Sequence, residues 1–243
     1  MKKIKLFLTI ITITFLMQNA FALSGHEILT RSERSTQPRT SRAFVIMKVY
    51  TGYDSYRTVK MKSYTLGSNM SYSEYVYPKN IYGLKYLSRG DSIWMYYPRT
   101  NRVRKLAKHL EKRPISGVGG DFAARDMKQV KWSEKYHARL LKTENGKYVI
   151  EARGKRSGTY KKLVIYINKS NFVPVKTDYY NEYGRKFKTL YMKNYTKIKD
   201  VWFAKKLEMF SYERDAKTVI EMKAVSVNIL VNRQYFSVSN LKR

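Results

Sequence analysis

The residue types that most often carry catalysis are present in this sequence, but their spacing matches no common active site. The three histidines, His26, His109 and His137, lie far apart, and none stands in an H-x-x-x-H or H-E-x-x-H arrangement that would bind zinc. The chain has no cysteine, which excludes a thiol nucleophile and a Cys-ligated zinc site. We therefore expect neither a metal nor a cofactor.

Other catalytic motifs are incomplete or missing. Residues 116–121 are rich in glycine but lack the G-K-[ST] ending of a phosphate-binding loop, so we interpret them as a tight turn or a packed loop. No G-x-S-x-G nucleophile elbow occurs. The carboxylates Asp91, Asp121 and Asp126 do not identify a glycosidase pair, because that assignment needs their separation in space. The sequence predicts a protein that is not an enzyme.

The elements that would position any site are predicted to be mainly strands. Ser24 and Glu27 fit a capping box, which predicts a short helix from there to about residue 33. After Pro38 the hydrophobic period changes to two, which is typical of half-buried strands. Runs of this kind lie at residues 43–50, 55–65, 70–77, 82–88, 92–97, 136–142, 147–153, 161–168, 173–180, 186–193, 201–209 and 218–229. The turns between most of them are too short for crossover helices, so the strands are predicted to pair antiparallel.

The middle of the chain and one turn stand out from this pattern. Residues 102–128 lose the alternation, and a short helix is predicted near residues 123–130. Asn145-Gly146 is the strongest hairpin signal in the sequence. Many strands carry apolar or aromatic residues on one face and Lys or Arg on the other, which favours a sheet wrapped around something apolar. We expect a single domain over residues 23–243, because the composition shows no break.

The N-terminal segment has the pattern of a secretory signal peptide. Lys2, Lys3 and Lys5 precede the uncharged, mostly apolar residues 6–17, and residues 20–22 read Ala-Phe-Ala. The apolar run is shorter than the roughly 20 residues that a membrane-spanning helix needs. We expect residues 1–22 to be removed near Ala22 and the mature protein to be periplasmic.

The chain is strongly basic, with 49 Lys and Arg against 18 Asp and Glu and a formal charge of +31. Removal of the leader lysines would lower this charge to +28. In an exported protein we expect no nucleic-acid partner, and the charge instead favours an anionic membrane surface or glycan, at roughly 1 kcal/mol per basic residue near an anionic membrane. The candidate contacts lie in the densest basic stretch, namely Arg99, Arg102, Arg104, Lys105 and Lys108. The alternative is a solvated surface with no specific role.

Spaced motifs along the mature chain match a known family. They are Gly25 to Leu29, Tyr77-Pro78 followed by Gly83 to Leu87, Ser92 to Pro98, Asn101 to Lys105, Gly119 to Phe122 with Asp126-Met127, Leu163 to Asn168, Pro174 to Lys176, Val201 to Phe203, and Leu207 to Met209. In these motifs and their order the sequence resembles the LolA-like outer-membrane lipoprotein-sorting proteins, in the branch associated with RND/MMPL or ABC exporters.

This resemblance implies a fold and a function. The fold would be mainly β (α+β), an incomplete, strongly curved antiparallel β-barrel with short helices covering its concave face. The function would be that of a carrier, expected to be monomeric, which holds the acyl chains of a lipoprotein or lipid in an apolar cavity and delivers them towards the outer membrane. Hiding such chains is favourable because burial yields about 0.8 kcal/mol per CH₂.

Seven apolar or aromatic residues are the candidates for lining that cavity. They are Val45, Met47, Val49, Met61, Trp94, Tyr96 and Trp202. Met47 and Met61 are favoured because flexible thioether side chains adapt to varied ligands. Ordinary core packing is the alternative for each, and the sequence leaves open which strand faces are concave.

Two other functions remain open from the sequence. The same fold could dock on the periplasmic part of an RND/MMPL-type or ABC exporter without carrying any cargo. It could also be a basic surface-binding protein for anionic glycans or lipid headgroups.

Overall fold

The computed structural model describes residues 23–51, 55–155 and 160–243. The predicted signal peptide, residues 1–22, lies outside the described residues. Within these described ranges, thirteen strands form one antiparallel sheet that is not closed into a barrel, as predicted. The strands are β1 (Thr40–Tyr50), β2 (Tyr56–Leu66), β3 (Met70–Tyr77), β4 (Lys85–Arg89), β5 (Ser92–Tyr97), β6 (Arg102–Lys105), β7 (Tyr136–Glu144), β8 (Lys147–Gly154), β9 (Lys162–Asn168), β10 (Pro174–Tyr180), β11 (Lys186–Ile198), β12 (Val201–Ser211) and β13 (Ala216–Val227).

The order of the strands requires one segment of the chain to cross the sheet. Strands β1 to β6 lead from the centre to one edge, and β7 to β13 lead from the other edge back to the centre, where β13 pairs with β1. The connection from β6 to β7 therefore joins the two edges of the sheet. Residues 106–135 make this connection, and we call them the crossing segment.

Most of the strand predictions are confirmed within a few residues, and the predicted hairpins form. Asn145 and Gly146 have φ values of 48° and 69° between β7 and β8, as the two central residues of a type I′ turn require. The prediction is wrong in the crossing region. Residues 102–105 form the edge strand β6, and residues 123–130 hold only a 3₁₀ turn, Ala124–Met127, followed by the short helix α2 (Trp132–Lys135). The conformation of the crossing segment is determined by its contacts with the sheet. Hydrophobic periodicity along the sequence does not predict such contacts.

Helix α1 (Gly25–Thr36) forms where the capping pattern predicts it. The Ser24 hydroxyl accepts a hydrogen bond from the Glu27 amide at 3.1 Å, which satisfies one of the unpaired amides of the first turn. Ile28 and Leu29 are buried, so α1 packs one face on the sheet. The described residues contain no helix that combines the length and the apolarity needed to cross a membrane.

The sheet curves around the crossing segment. The Ser71 hydroxyl of β3 donates to the Met127 carbonyl at 2.9 Å, and the Lys188 ammonium of β11 donates to the Asp126 carboxylate at 3.0 Å. These strands stand five places apart in the sheet, which is about 24 Å in a flat sheet with strands ~4.8 Å apart. Two consecutive residues could not span that distance, so the covered face is the concave one. Buried side chains on this face form the main core, among them Val45, Met47, Tyr75, Met95, Ile165 and Ile220.

A second, smaller core lies on the convex face of β2 to β6. The C-terminal residues 228–243 return there, and Phe236 and Leu241 are buried against Tyr72 and Leu87. The ring of Tyr235 stacks on Tyr64 and Tyr72, with centroids 4.5 and 5.1 Å apart. Both faces of this half of the sheet are therefore covered.

A substitution at Gly25, the first residue of α1, tests how closely the helix packs on the sheet. A Cβ atom at Gly25 would lie 2.6 Å from the backbone of Arg139 and Leu140 in β7. We expect Gly25→Ala to lower the free energy of unfolding by about 2 kcal/mol, because backbone atoms cannot move aside and overpacking costs 1–3 kcal/mol. Chemical denaturation measures this change. The neighbouring, exposed His26→Ala is the control, with an expected change within about 0.5 kcal/mol, and equal effects of the two variants would contradict this account.

Candidate functional site

The crossing segment packs Ile115, Val118 and Phe122 into the main core and is also tied to the concave face by charged side chains. Lys188 and Asp126 form an ion pair at 3.0 Å, and both side chains are less than a tenth exposed. Tyr160 also donates to Asp126 and, through its hydroxyl oxygen, accepts from Lys188 at 3.2 Å. Burial raises the pKa of the Tyr160 hydroxyl, which therefore stays protonated as the donor. This cluster joins the 3₁₀ turn of the crossing segment to β11.

A second tie holds the glycine-rich part of the crossing segment. Asp121 is buried and accepts from the Thr218 hydroxyl of β13 at 2.7 Å and from the Arg214 guanidinium at 2.7 Å. Gly120 has a φ of 85°, and a Cβ there would come within 3.0 to 3.1 Å of Thr218 and Val49. The expectation of a packed loop at residues 116–121 is consistent with this close approach.

The third tie lies within the crossing segment. Lys128 and Glu111 pair at 2.7 Å with side chains that are 6% and 7% exposed, and the Lys128 ammonium also donates to the Asp91 carbonyl at 2.9 Å. Burial lowers the pKa of Lys128 from its usual value, and the nearby Glu111 carboxylate opposes that shift. Lys128 and Asp126 line both cavities that lie beneath this segment, but each is paired with a protein group of opposite charge.

Two neighbouring cavities lie between the concave face and its cover. The α1 cavity, about 320 Å³, lies beneath α1 and the crossing segment and is lined by Leu29, Trp132, Ile165, Leu190, Met192 and Trp202. The β1 cavity, about 240 Å³, is lined on its apolar side by Ala43, Val45, Met61, Phe122, Met127 and Ile220. The apolar residues that line both cavities are Phe203, Leu207 and Met222, and the polar ones are Thr36, Asp126, Lys128 and Gln129. Small-molecule pockets commonly measure about 300–1,000 Å³, so each cavity is at or below the low end of that range.

One end of the β1 cavity carries hydroxyl groups that already have partners. Ser41 and Thr65 are 2.7 Å apart, and Ser73 donates to Ser63 at 3.3 Å. Since these hydroxyls bond to each other, that end offers a ligand only a weakly polar wall. No group of three or more His, Cys, Asp or Glu side chains that could hold a metal occurs among the described residues.

The structure brings some of the predicted cavity residues together and separates others. Val45 and Met61 line the β1 cavity, and Trp202 lines the α1 cavity. Met47 and Val49 point to the same concave face but are packed in the core. Trp94 and Tyr96 lie on the convex face, in the core that the C-terminal residues cover. Alternation in β5 places their neighbours Ile93 and Met95 on the concave side instead.

The sequence did not lead us to predict Phe203, Leu207 and Met222 as residues that line a cavity. Leu207 and Met209, like Ile220 and Met222, show the period of two expected for one sheet face. This alternation could have identified Leu207 and Met222 as candidates for the cavity wall. Nothing in the sequence indicates that β12 and β13 border the cavities beneath α1 and the crossing segment.

The predicted basic contact residues lie together at one edge of the sheet. Arg102, Arg104 and Lys105 are exposed on β6, and Arg99 and Lys108 are exposed on either side of it. Lys108 pairs with Glu111 at 3.2 Å, while its own side chain stays mostly exposed. Their contact with an anionic surface stays a prediction.

Comparison with known proteins identifies the fold. A family model described as "Uncharacterized protein" matches residues 67–243. No curated protein matches the sequence.

Three solved structures share the architecture over nearly the whole chain. A proposed outer membrane lipoprotein-sorting protein domain from Vibrio parahaemolyticus has a TM-score of 0.82 and 23% identity, covering 90% of this chain and 98% of that one. A DUF1329 family protein from Desulfovibrio piger has a TM-score of 0.82 and 21% identity, covering 89% and 97%. A LolA superfamily protein from Nitrosomonas europaea has a TM-score of 0.75 and 22% identity, covering 89% and 99%. The chain therefore has the open, curved β fold of the LolA superfamily.

The buried pair that ties the crossing segment to β11 makes a testable contribution to stability. We expect Lys188→Met to lower the free energy of unfolding by about 3 kcal/mol, because it leaves the buried Asp126 carboxylate without its cation. Denaturant unfolding measures the loss. Glu27→Gln breaks the exposed Glu27–Arg31 pair and is the control, with an expected loss of at most about 0.5 kcal/mol. A Lys188→Met loss no larger than that of the control would contradict the assignment.

Proposed function

We propose that this chain, which belongs to the family described as "Uncharacterized protein", is an exported carrier that binds the acyl chains of lipoproteins or lipids. The observation that carries the proposal is the pair of adjoining, largely apolar cavities between the concave face and its cover. Their shared wall of Phe203, Leu207 and Met222 gives a hydrocarbon chain a continuous apolar surface. Each buried CH₂ of the cargo would contribute about 0.8 kcal/mol.

The shared fold supports a carrier and agrees with the chemistry of the site. The three compared structures include a proposed lipoprotein-sorting domain and a LolA superfamily protein. The charged groups above the cavities are engaged in ion pairs that hold the cover in place, so the site is suited to binding and release rather than to catalysis. We place the mature protein, residues 23–243 as one domain, in the periplasm, with delivery directed towards the outer membrane.

The cavities must enlarge to hold a complete acyl chain. Displacement of the crossing segment would enlarge them, and it would require the polar ties to break and the buried Val118 and Phe122 to leave the core. Met61, Met127 and Met222 line the cavities, and their flexible side chains can repack around a chain.

A substitution in the shared wall tests the carrier function. We expect Leu207→Asp to weaken binding of a fluorescent acyl-chain probe by about tenfold or more, because it puts a carboxylate where hydrocarbon would lie. Fluorescence titration measures the affinity, and circular dichroism checks that the sheet is retained. Leu141→Asp, at an exposed position of β7, is the matched control and should bind normally. A folded Leu207→Asp protein with unchanged affinity would refute the proposal, as would a native protein with no acyl-probe binding.

A second candidate function is docking on an RND/MMPL-type or ABC exporter. The observation that favours it is β6, an edge strand of the sheet that carries the exposed Arg102, Arg104 and Lys105. An edge strand has unpaired backbone groups that can accept a strand from another protein.

One experiment distinguishes the carrier function from docking on an exporter. If β6 is a docking edge, reversing Arg102, Arg104 and Lys105 to Glu should abolish recovery of a transporter in pull-downs from membranes. The same protein should keep its acyl-probe affinity, because these side chains lie away from the cavities. Recovery that is unaffected by the triple substitution would contradict docking through β6.

A further inference from the structure

The polarity of the β1 cavity wall changes along the strands that form it. On β1 the residues that line the cavity are Ser41, Ala43 and Val45, in order from the start of the strand inward. The neighbouring strands β2 and β3 each contribute two hydroxyl residues at the same end, namely Thr65 and Ser63 on β2 and Ser71 and Ser73 on β3. One end of the cavity wall is therefore hydroxylated, and the wall becomes apolar further along the strands.

The strand register places these hydroxyl residues side by side. Ser41 stands opposite Thr65, which in turn stands opposite Ser71. In the next row Ser63 stands opposite Ser73. Directly opposite residues on neighbouring strands have Cβ atoms about 4.5–5.5 Å apart. The five residues thus form one continuous part of the wall, which we call the hydroxyl patch.

The hydroxyl patch has more hydrogen-bond donors than it uses. Ser41 and Thr65 lie 2.7 Å apart, so one hydroxyl donates to the other and the second hydrogen of this pair stays unused. Ser73 donates to Ser63 at 3.3 Å, which leaves the hydrogen of Ser63 unused. Neither of these two hydrogens has an acceptor among the described residues. Two hydroxyl donors on the cavity wall are therefore available to a ligand.

The other polar groups of the cavity wall are already engaged. Ser71 donates its hydrogen to the Met127 carbonyl at 2.9 Å. The two charged residues that line the β1 cavity, Asp126 and Lys128, each have a partner of opposite charge. A buried anion would need a cation of its own, which this wall does not offer within the described part of the chain. The two available donors are therefore suited to a neutral acceptor.

The hydroxyl patch lies beside a surface pocket. Pro38, just before β1, lines both the β1 cavity and a pocket of about 490 Å³ at the surface. The exposed residues Arg39, Gly67 and Lys131 also line this pocket. An amphiphile with its chain in the cavity would have its polar headgroup at this end, because a polar group loses free energy when it is buried without partners.

We propose that the hydroxyl patch binds the carbonyl oxygen of an acyl ester, at the point where the hydrocarbon chain joins the headgroup. This inference rests on the proposed carrier function and narrows its cargo to lipids with an acyl carbonyl, as opposed to ether or purely hydrocarbon lipids. The carbonyl oxygen provides an acceptor for the available hydroxyl donors, which cost free energy when they are buried unpaired. The chain extends from there past Ala43 to Val45 and Met61.

Two glycerolipids that differ only in the carbonyl group test this inference. Lauroylglycerol has an ester carbonyl, and dodecylglycerol has an ether methylene in its place. Both are titrated against the purified protein by displacement of a fluorescent acyl-chain probe. We expect the ester to bind about fivefold more tightly, which is the effect of one neutral hydrogen bond.

Substitution of the hydroxyl pairs locates the carbonyl. Ser41→Ala with Thr65→Val removes both partners of one hydrogen bond, and Ser63→Ala with Ser73→Ala removes both partners of the other. Removal of both partners is nearly neutral for stability, and circular dichroism checks the fold. We expect at least one double variant to reduce the ester preference below about twofold while the affinity for dodecylglycerol is kept.

The C-terminal residues provide a matched control. Ser237 and Ser239 form a hydroxyl pair 2.7 Å apart, and neither residue lines the α1 cavity or the β1 cavity. Ser237→Ala with Ser239→Ala removes the same number of hydroxyl groups and should keep the full ester preference.

The outcomes distinguish this inference from the carrier function. Equal affinity for the two lipids, or an ester preference that persists in both double variants of the hydroxyl patch, would overturn the carbonyl site and leave acyl binding intact. An ester preference that is also lost in the C-terminal control would overturn the assignment to the patch. Absence of binding by both lipids to the native protein would overturn the carrier function and the inference together.

Discussion

The edges of this sheet lie at β6 and β7, and its apolar concave face must be covered by something other than a closing strand pair. The topology provides the cover, because the connection from β6 to β7 runs across that face, where Ser71 and Lys188 bond to it. The crossing segment packs Val118 and Phe122 into the core and is also held by buried charged contacts through Asp121, Asp126 and Glu111. Buried pairs of this type add little net stability but penalise every arrangement that separates them. They define where the cover lies while leaving apolar space beneath it.

That space differs from an ordinary core in how its walls are made. Elsewhere on the concave face, residues such as Met47 and Met95 are almost completely buried. Between α1, the crossing segment and β12, the half-buried Phe203, Leu207 and Met222 face a void instead. Close packing is the norm in protein interiors, so adjoining cavities beneath a polar cover are the feature of this fold that most favours binding.

The high positive charge is distributed mainly where it does not disturb this interior. On the strands, many Lys side chains lie over aromatic rings, as Lys176 does over Tyr166 at 4.5 Å and Lys162 over Tyr180 at 3.9 Å. Such contacts keep the ammonium in water while the stem covers apolar surface. The buried Lys188 and Lys128 each have a carboxylate partner. The excess of basic residues is therefore a property of the surface, available to anionic partners.

Most of the strands, their antiparallel pairing and α1 with its Ser24 cap were predictable from the sequence, because period-two alternation, turn residues and capping are local signals. Which residues lie on the concave face was predictable only in part. Val45 and Met61 line a cavity, but Trp94 and Tyr96 lie on the convex face, since alternation identifies two faces without stating which one is covered. The path of the crossing segment and its pairing of Asp126 with Lys188 were decided by tertiary structure. These two residues lie 62 positions apart in the chain. A pairing over that distance leaves no periodic trace in the sequence.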